Sequence, residues 1–341
     1  MKIGLVGYQG CGKSTLFEWL TGVAPDPALA HVGQTAMAAI PDPRIESLCA
    51  IYHPKKVTHA ALEIADTPGL SRTHEGNASR LAAIRDTDCL VMVVPAFGGA
   101  EPRSDLSSFD EDLLLADLEI VSKRIQRLRE SIKKPRPNRE QELAEIAALE
   151  PLEQLLGQGR SLVDAELTDE QRRAIRSFRL LSEKPRLAVV NLADNDPDPR
   201  RYAALSDVYR VLAVPLALEL ELARMEPATR AEFERELQLT TPRRDDVLRA
   251  LLEVSRQILF FTAGEKEVRC WLLPKGATAL DAADNIHTDL ARHFIRAEVM
   301  RYDDLVQFGS ERELKARGLV RQEHKDYAVQ EGDVLFIKHG A

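Results

Sequence analysis

Gly7-Tyr8-Gln9-Gly10-Cys11-Gly12-Lys13-Ser14 follows the short apolar run Ile3 to Val6 and opens a helical pattern, Lys13 to Leu20. The spacing is G-x-x-x-x-G-K-S in a strand–loop–helix context, which ties the N-terminus to a phosphate-binding α/β unit. Glycines let successive N–H groups turn around a phosphate, and the helix N-terminus adds a favourable dipole. Lys13 supplies charge to the β- and γ-phosphates and is a candidate catalytic residue, while the Ser14 hydroxyl suits Mg²⁺, which takes hard oxygen ligands. Gly7, Gly10, Cys11, Gly12, Lys13, Ser14 and Thr15 are the candidate phosphate ligands. A chance Gly-rich turn is the alternative, and the flanks favour the phosphate site.

Leu62 to Ala65, Cys89 to Val94 and Leu187 to Val190 are further short apolar runs, as expected of parallel strands covered on both faces. Helical patterns between them predict an α/β domain. From Asp112 to Lys184 the chain is rich in Leu, Glu, Arg and Ala, with helices expected over Asp112 to Lys133, Glu140 to Leu156 and Asp169 to Leu181. The prolines of Lys133-Lys134-Pro135-Arg136-Pro137-Asn138 end the first of these and make a helical hairpin. After Ile258 a small mixed sheet is expected, with strands at Ile258 to Thr262, Glu267 to Leu273, Phe294 to Val299, Tyr327 to Val329 and Val334 to Ile337. Thr278 to Asp281 has capping-box spacing and opens a helix.

Two more motifs complete the site. Asp66-Thr67-Pro68-Gly69 ends a strand, where an Asp holds Mg²⁺ directly or through water and a Gly lets the backbone approach a γ-phosphate. Asn191-Leu192-Ala193-Asp194 follows the late strand, so Asn191 and Asp194 are candidate base contacts, or else an ordinary turn. Leu192 stands where a guanine reader carries lysine.

With 341 residues the chain has room for two or three domains. Its net charge of -8 argues against bulk nucleic-acid binding and DNA specificity, and leaves RNA contact to a local basic patch. Lys123, Arg124, Arg127, Arg129, Lys133, Lys134, Arg136 and Arg139 supply one on the hairpin, with a solvated helix end as the plainer reading. The four cysteines are scattered, which suits a reducing compartment. Cys11 is either an oxidisable thiol in the loop or a small filler. The opening apolar run is too short for a signal peptide, and no stretch of about 18 apolar residues exists, so a cytoplasmic protein without membrane partners is expected.

The three motifs in this order, with a helical insert, resemble the YchF/Obg-like ATPase family. The match extends to Pro41-Asp42-Pro43-Arg44, Leu114-Leu115-Ala116-Asp117-Leu118-Glu119, Phe260 to Arg269, Ile286-His287-Thr288-Asp289, Phe294 to Val299 and Lys325-Asp326-Tyr327. The resemblance implies an α/β Ras-like P-loop NTPase domain (1–111 and 185–257), a helical coiled-coil-like insert (112–184) and a C-terminal TGS domain of β-grasp type (258–341). It implies Mg²⁺-dependent binding and slow hydrolysis of ATP, or of GTP, and association with ribosomes. The chain departs from the family in several places. Asp194 replaces a glutamate, and Met92 stands where the family has its water-placing histidine, while Leu70 follows Gly69. The loops at Ala28 to Pro41, Ser71 to Leu81 and Pro215 to Glu219 are shorter. Thr35 is a candidate Mg²⁺ ligand in the first loop, and His74 a candidate replacement for the histidine. Two functions follow, a slow NTPase switch or a nucleotide-binding scaffold with little turnover; a metabolic kinase lacks any visible acceptor site.

Overall fold

The apolar runs that punctuate the first half are strands of one parallel sheet in the computed structural model of the protein, which describes residues 1–134, 137–196, 199–237 and 240–340. The main elements begin with β1 (Lys2–Val6), α1 (Lys13–Thr21), β2 (Gln34–Ala39), α2 (Arg44–Tyr52), β3 (Val57–Thr58), β4 (Ala61–Asp66) and α3 (Asn77–Arg85). Next come β5 (Cys89–Pro95), α4 (Pro102–Ser131), α5 (Arg139–Gly157), α6 (Asp169–Ile175), β6 (Arg186–Asn191), β7 (Val211–Val214), α7 (Leu216–Arg224), α8 (Pro227–Leu237) and α9 (Arg244–Val254). The chain ends with β8 (Gln257–Ala263), β9 (Val268–Pro274), α10 (Ala279–Ile286), β10 (Phe294–Arg301), β11 (Arg321–Glu323) and β12 (Asp333–His339). It divides into two units, Met1–Ala36 with Glu63–Arg244, and Met37–Leu62 with Asp245–Ala341.

The first sheet has the order β2-β4-β1-β5-β6-β7, and β1 pairs in parallel with β4 and β5, as do β5 with β6 and β6 with β7. Every residue of β6, and of β5 up to Val94, is buried, as a sheet covered on both faces requires. Register sets Leu5 beside Asp66 and Pro95 beside Asn191. The loop after β1, Asp66 and Asn191 therefore meet at the carboxyl edge of the sheet, where open α/β sheets bind ligands.

The inserted helices differ from expectation at their ends. α4 starts at Pro102 rather than Asp112, with proline in the first turn where its missing N–H costs nothing. α6 stops at Ile175 rather than Leu181, and Arg179, at φ 50°, turns the chain. Val121, Ile125 and Leu128 of α4 pack with Ile146, Leu149 and Leu152 of α5. Pro135 and Arg136 lie outside the described residues. At the root of the insert Asp117 is fully buried. One oxygen accepts from Arg85 Nη1 at 2.6 Å, and the other from Ser182 N and Oγ at 2.7 Å each.

In the second unit the sheet order is β11-β10-β12-β8-β9-β3. Phe260, Leu273, Ala282, Val299 and Leu335 form its core with α10, which Thr278 and Asp281 cap reciprocally. The strand expected at Tyr327 to Val329 shrinks to a single antiparallel bridge of Ala328 with Thr278, in which Ala279 N donates to Tyr327 O at 2.8 Å and Val329 N to Ala277 O at 3.0 Å, because its partner segment turns into α10 at once. Pro41-Asp42-Pro43-Arg44 acts here. Arg44 binds both oxygens of Asp42, pairs with Glu331, and sits 4.9 Å from the Phe261 ring. With β3 paired to β9, residues 37–62 are built into this unit although they lie between two site segments in the sequence.

Two buried carboxylates generate tests. Asp117→Ala leaves Arg85 without its buried partner, so urea unfolding is expected to show a loss of about 3–5 kcal/mol. Glu219, on α7, is wholly buried with neither oxygen hydrogen-bonded among the described residues, and desolvation raises its pKa against the pull of Arg243 and Arg230. A folded-state pKa above the unfolded one gives stability that is fully present below the unfolded pKa and lost as pH rises through the folded one. Glu219→Gln is expected to melt at a higher temperature than the parent at about pH 8, with the gap closing towards about pH 4; a constant gap would contradict the assignment.

Candidate phosphate-binding site

The loop after β1 closes onto the Asp66–Gly69 segment through its backbone. Leu70 N donates to Gly7 O at 3.0 Å and Gln9 N to Leu70 O at 3.2 Å. A Cβ on Gly69 would lie 2.8 Å from Lys13 Nζ, and one on Gly12 (φ +106°) 2.3 Å from Asn191 Nδ2. The Gly69 Cβ would also meet the Gln9 backbone at 3.0 Å, and the positive φ of Gly12 strains any side chain there, so both positions favour glycine.

A cleft of about 610 Å³ opens there, lined among others by Gly10, Lys13, Ser14, Asp66, Gly69 and Arg80. Lys13 is 7% exposed and its Nζ donates to the carbonyls of Tyr8 (3.0 Å) and Gly7 (3.4 Å). Those carbonyls are weak partners for an ammonium, which a phosphate oxygen would outbid. Ser14 Oγ donates to Asp66 Oδ2 at 2.6 Å. Burial raises the Asp66 pKa, against the Ser14 hydrogen bond and the Lys13 charge. One hydroxyl and one carboxylate in contact are a donor set that fits Mg²⁺, which takes one or two carboxylates and fills its shell with water and phosphate. Among the described residues no cluster of three or more His, Cys, Asp or Glu side chains offers an all-protein metal cage.

The remaining sequence candidates divide. Gly7, Gly12 and Cys11 build the loop. Cys11 is 2% exposed, its Sγ 3.7 Å from Lys13 Nζ, and burial pushes its thiol pKa up, which suits a filler and not a reactive thiolate. Thr15 is half-buried on α1. Asn191 Nδ2 donates to Cys11 O at 3.2 Å and its Oδ1 accepts from Leu216 N at 3.4 Å, so it braces the loop against α7. Asp194 is exposed on the following turn. Thr35 is exposed on β2 and lines a smaller neighbouring cleft with Asp66 and Pro68, whereas Gln34 faces the main one. His74 lies outside the main cleft. Its side chain is 70% exposed and its Nδ1 is 3.4 Å from Asp112. Leu70 and Met92 are buried in the apolar core, so neither position presents a side chain to a reacting water.

Sequence reasoning missed the residues that hold the loop from outside. Tyr8 O–H donates to Asp112 of α4 at 3.0 Å, and its ring meets Phe109 edge-on. Arg72 stacks 4.4 Å from the Tyr8 ring while both of its terminal nitrogens bind Asp105 at 2.8 Å. Asp105 lies before the expected start of this helix at Asp112, and the partners of both acidic residues are not sequence neighbours.

Comparison with known proteins agrees with this architecture. The ribosome-binding ATPase YchF of Haemophilus ducreyi is 34% identical over 99% of this chain and 98% of its own length. The chain belongs to the YchF family. Obg-like ATPase 1 of rice (Oryza sativa subsp. japonica) is 33% identical over 99% of this chain and 92% of its own. The YchF GTPase structure from Schizosaccharomyces pombe superposes with a TM-score of 0.85 at 28% identity, covering 99% of this chain and 97% of that one. A family model described as a 50S ribosome-binding GTPase matches residues 2–132, and the YchF GTPase C-terminal model, described as a protein of unknown function, matches residues 257–340. The fold is thus the α/β Ras-like P-loop NTPase of the YchF family with additional helical and β-sheet parts. For this YchF member, His74→Ala is expected to leave single-turnover nucleotide hydrolysis unchanged, since the ring stands on Asp112 and not in the cleft; a loss of about a hundredfold, roughly the least that a general base contributes, would restore His74 as a catalytic candidate.

Proposed function

We propose that the protein binds a nucleoside triphosphate with Mg²⁺ in this cleft and hydrolyses it slowly, as a regulatory NTPase working with ribosomes in the cytoplasm. The observation that carries the reading is the pairing of Ser14 Oγ with Asp66 Oδ2 at 2.6 Å beside a buried Lys13 whose hydrogen-bond acceptors among the described residues are its own loop's carbonyls and a thiol. Gly7, Gly10, Gly12, Thr15 and Gly69 shape the phosphate cradle, Lys13 neutralises the β- and γ-phosphates, and Ser14 and Asp66 hold Mg²⁺, with Thr35 as a further oxygen. Mg²⁺ would supply charge neutralisation on the phosphates. Asn191 positions the loop, and Asp194, free of the buried Leu192, is the residue left to meet the base. The names of the relatives favour ATP and ribosome binding.

Three working parts go with this function, namely the nucleotide domain (1–111 and 185–257), the helical insert (112–184) and the TGS part (258–341). On the insert, Arg124 binds Glu145 and Arg129 binds Glu150, which neutralises part of the expected basic patch. Arg127, Lys133, Lys134 and Arg139 make no ion pair among the described residues and are the cations left for an RNA phosphate. Among those residues no helix is long and apolar enough to cross a membrane. A scaffold that binds nucleotide with little turnover is the second reading, favoured by the burial of Leu70 and Met92.

Titration with fluorescent MgATP and MgGTP separates these. Tight ATP binding lost in Lys13→Ala, followed by hydrolysis that ribosomes accelerate, is the expected result. A GTP preference would make Asp194 the base selector, binding without turnover would favour the scaffold, and no binding would overturn both.

A further inference from the structure

We propose that Arg80 is an intrinsic arginine of this site, the group that takes up negative charge on the γ-phosphate as it is transferred to water. The inference rests on the triphosphate reading of the cleft and deepens it.

Arg80 lies in the first turn of α3 and lines the same cleft as Lys13, Ser14 and Gly69. It is half-buried, and among the described residues no carboxylate holds it. Its Nη1 donates to Glu75 O and Asn77 Oδ1, both at 3.3 Å, long bonds to neutral oxygens. The nearby Arg72 is the opposite case, with two bonds of 2.8 Å to Asp105 and its face on Tyr8. Arg72 is a clamp whose charge is already matched; Arg80 has charge to give. The other ionisable groups of the cleft are committed or of the wrong sign. Lys13 sits on its own loop, Asp66 accepts from Ser14, and Asp26 accepts from Ala28 N, leaving His31 as the remaining basic side chain.

Arg80 is also placed by a built element. Asn77 is 7% exposed and grips both backbone groups of Ser71, accepting from its N at 2.8 Å and donating to its O at 2.9 Å. Ser71 is two residues beyond Gly69. The ring closed by Asn77 therefore ties the helix that carries Arg80 to the segment that meets the γ-phosphate.

In the reaction, the water oxygen bonds to the γ-phosphorus while the bridging P–O bond to the β-phosphate breaks. The bonding pair leaves on the β-phosphate oxygen, and a water proton ends on the released phosphate. Charge spreads over the transferred phosphoryl oxygens and the leaving oxygen, where a planar guanidinium fork is well matched. This places electrostatic stabilisation in a site whose Leu70 and Met92 have no polar group to offer.

The test uses the full chain with Mg²⁺. MgADP affinity, affinity for a non-hydrolysable triphosphate and single-turnover hydrolysis are measured for the parent, Arg80→Ala, Arg80→Lys and Lys13→Ala. Arg80→Ala is expected to lower the hydrolysis rate about 100-fold or more, while MgADP affinity stays within about twofold. Arg80→Lys keeps part of the rate, added guanidinium restores part of the Arg80→Ala rate, and thermal unfolding shows both variants folded. A rate within about threefold of the parent for Arg80→Ala overturns the proposal while Lys13→Ala still abolishes binding and the triphosphate reading stands. A parent that binds triphosphate without turnover also overturns it, and a parent that binds none overturns the site reading with it.

Discussion

Two backbone hydrogen bonds, from Leu70 N to Gly7 O and from Gln9 N to Leu70 O, hold the site together. They fix the phosphate loop against the end of β4, and so set the contact between Ser14 and Asp66. They also leave no space for a side chain at Gly69. Leu70 anchors this pairing with its side chain in the core, at 1% exposure. A residue that looks, in sequence, like the loss of a polar group is in structure the fastener of two loops. Such preformed geometry spares the protein the ordering of its phosphate cradle on binding.

The same fastening reaches the inserted helices. Along α4, Asp105 binds Arg72, Asp112 binds Tyr8 and His74, and Asp117 binds Arg85 and Ser182. Asp110 accepts from Tyr209. The pairs 105/112 and 110/117 are each two helical turns apart, so the root of α4 presents acidic rows to its surroundings. Further out the helix carries Val121, Ile125 and Leu128 to α5. One helix thus passes from a polar register against the loops to an apolar seam against its hairpin partner. The loop's Tyr8 is held at the polar end.

This division explains what was legible in the sequence. β1, β5 and β6 announce themselves because a strand buried on both faces must be a short apolar run, and β4 because Leu62, Ile64 and Ala65 give it an apolar face. The phosphate loop is legible because its glycines and lysine leave few alternatives. The first ten residues of α4 were not, because Arg103, Asp105 and Asp110 break the apolar pattern and owe their places to tertiary partners. Arg80 reads in sequence as a lone cation in a polar stretch, and only the turn closed by Asn77 brings it to the cleft. Tyr327 to Val329 has the composition of a strand, but its pairing ends after the one bridge of Ala328 with Thr278, where α10 begins. Asp194, the sequence's candidate base contact, is exposed on a turn, and nothing in its local sequence marks a partner for it.

The position of residues 37–62 has a consequence for synthesis. Thr58 Oγ1 donates to Glu267 at 2.6 Å across 209 residues of sequence, and Arg44 meets Glu331 across 287. At ~5–20 residues per second, β3 waits about 10–40 s after leaving the synthesis machinery before its partner strand exists. During that interval Ile45 and Leu48 of α2, which are buried in the finished protein, have no C-terminal sheet to cover them. The segment between the two phosphate-facing loops is therefore the last part of the N-terminal half to find its place, and a nascent chain stalled before β8 carries it unpaired.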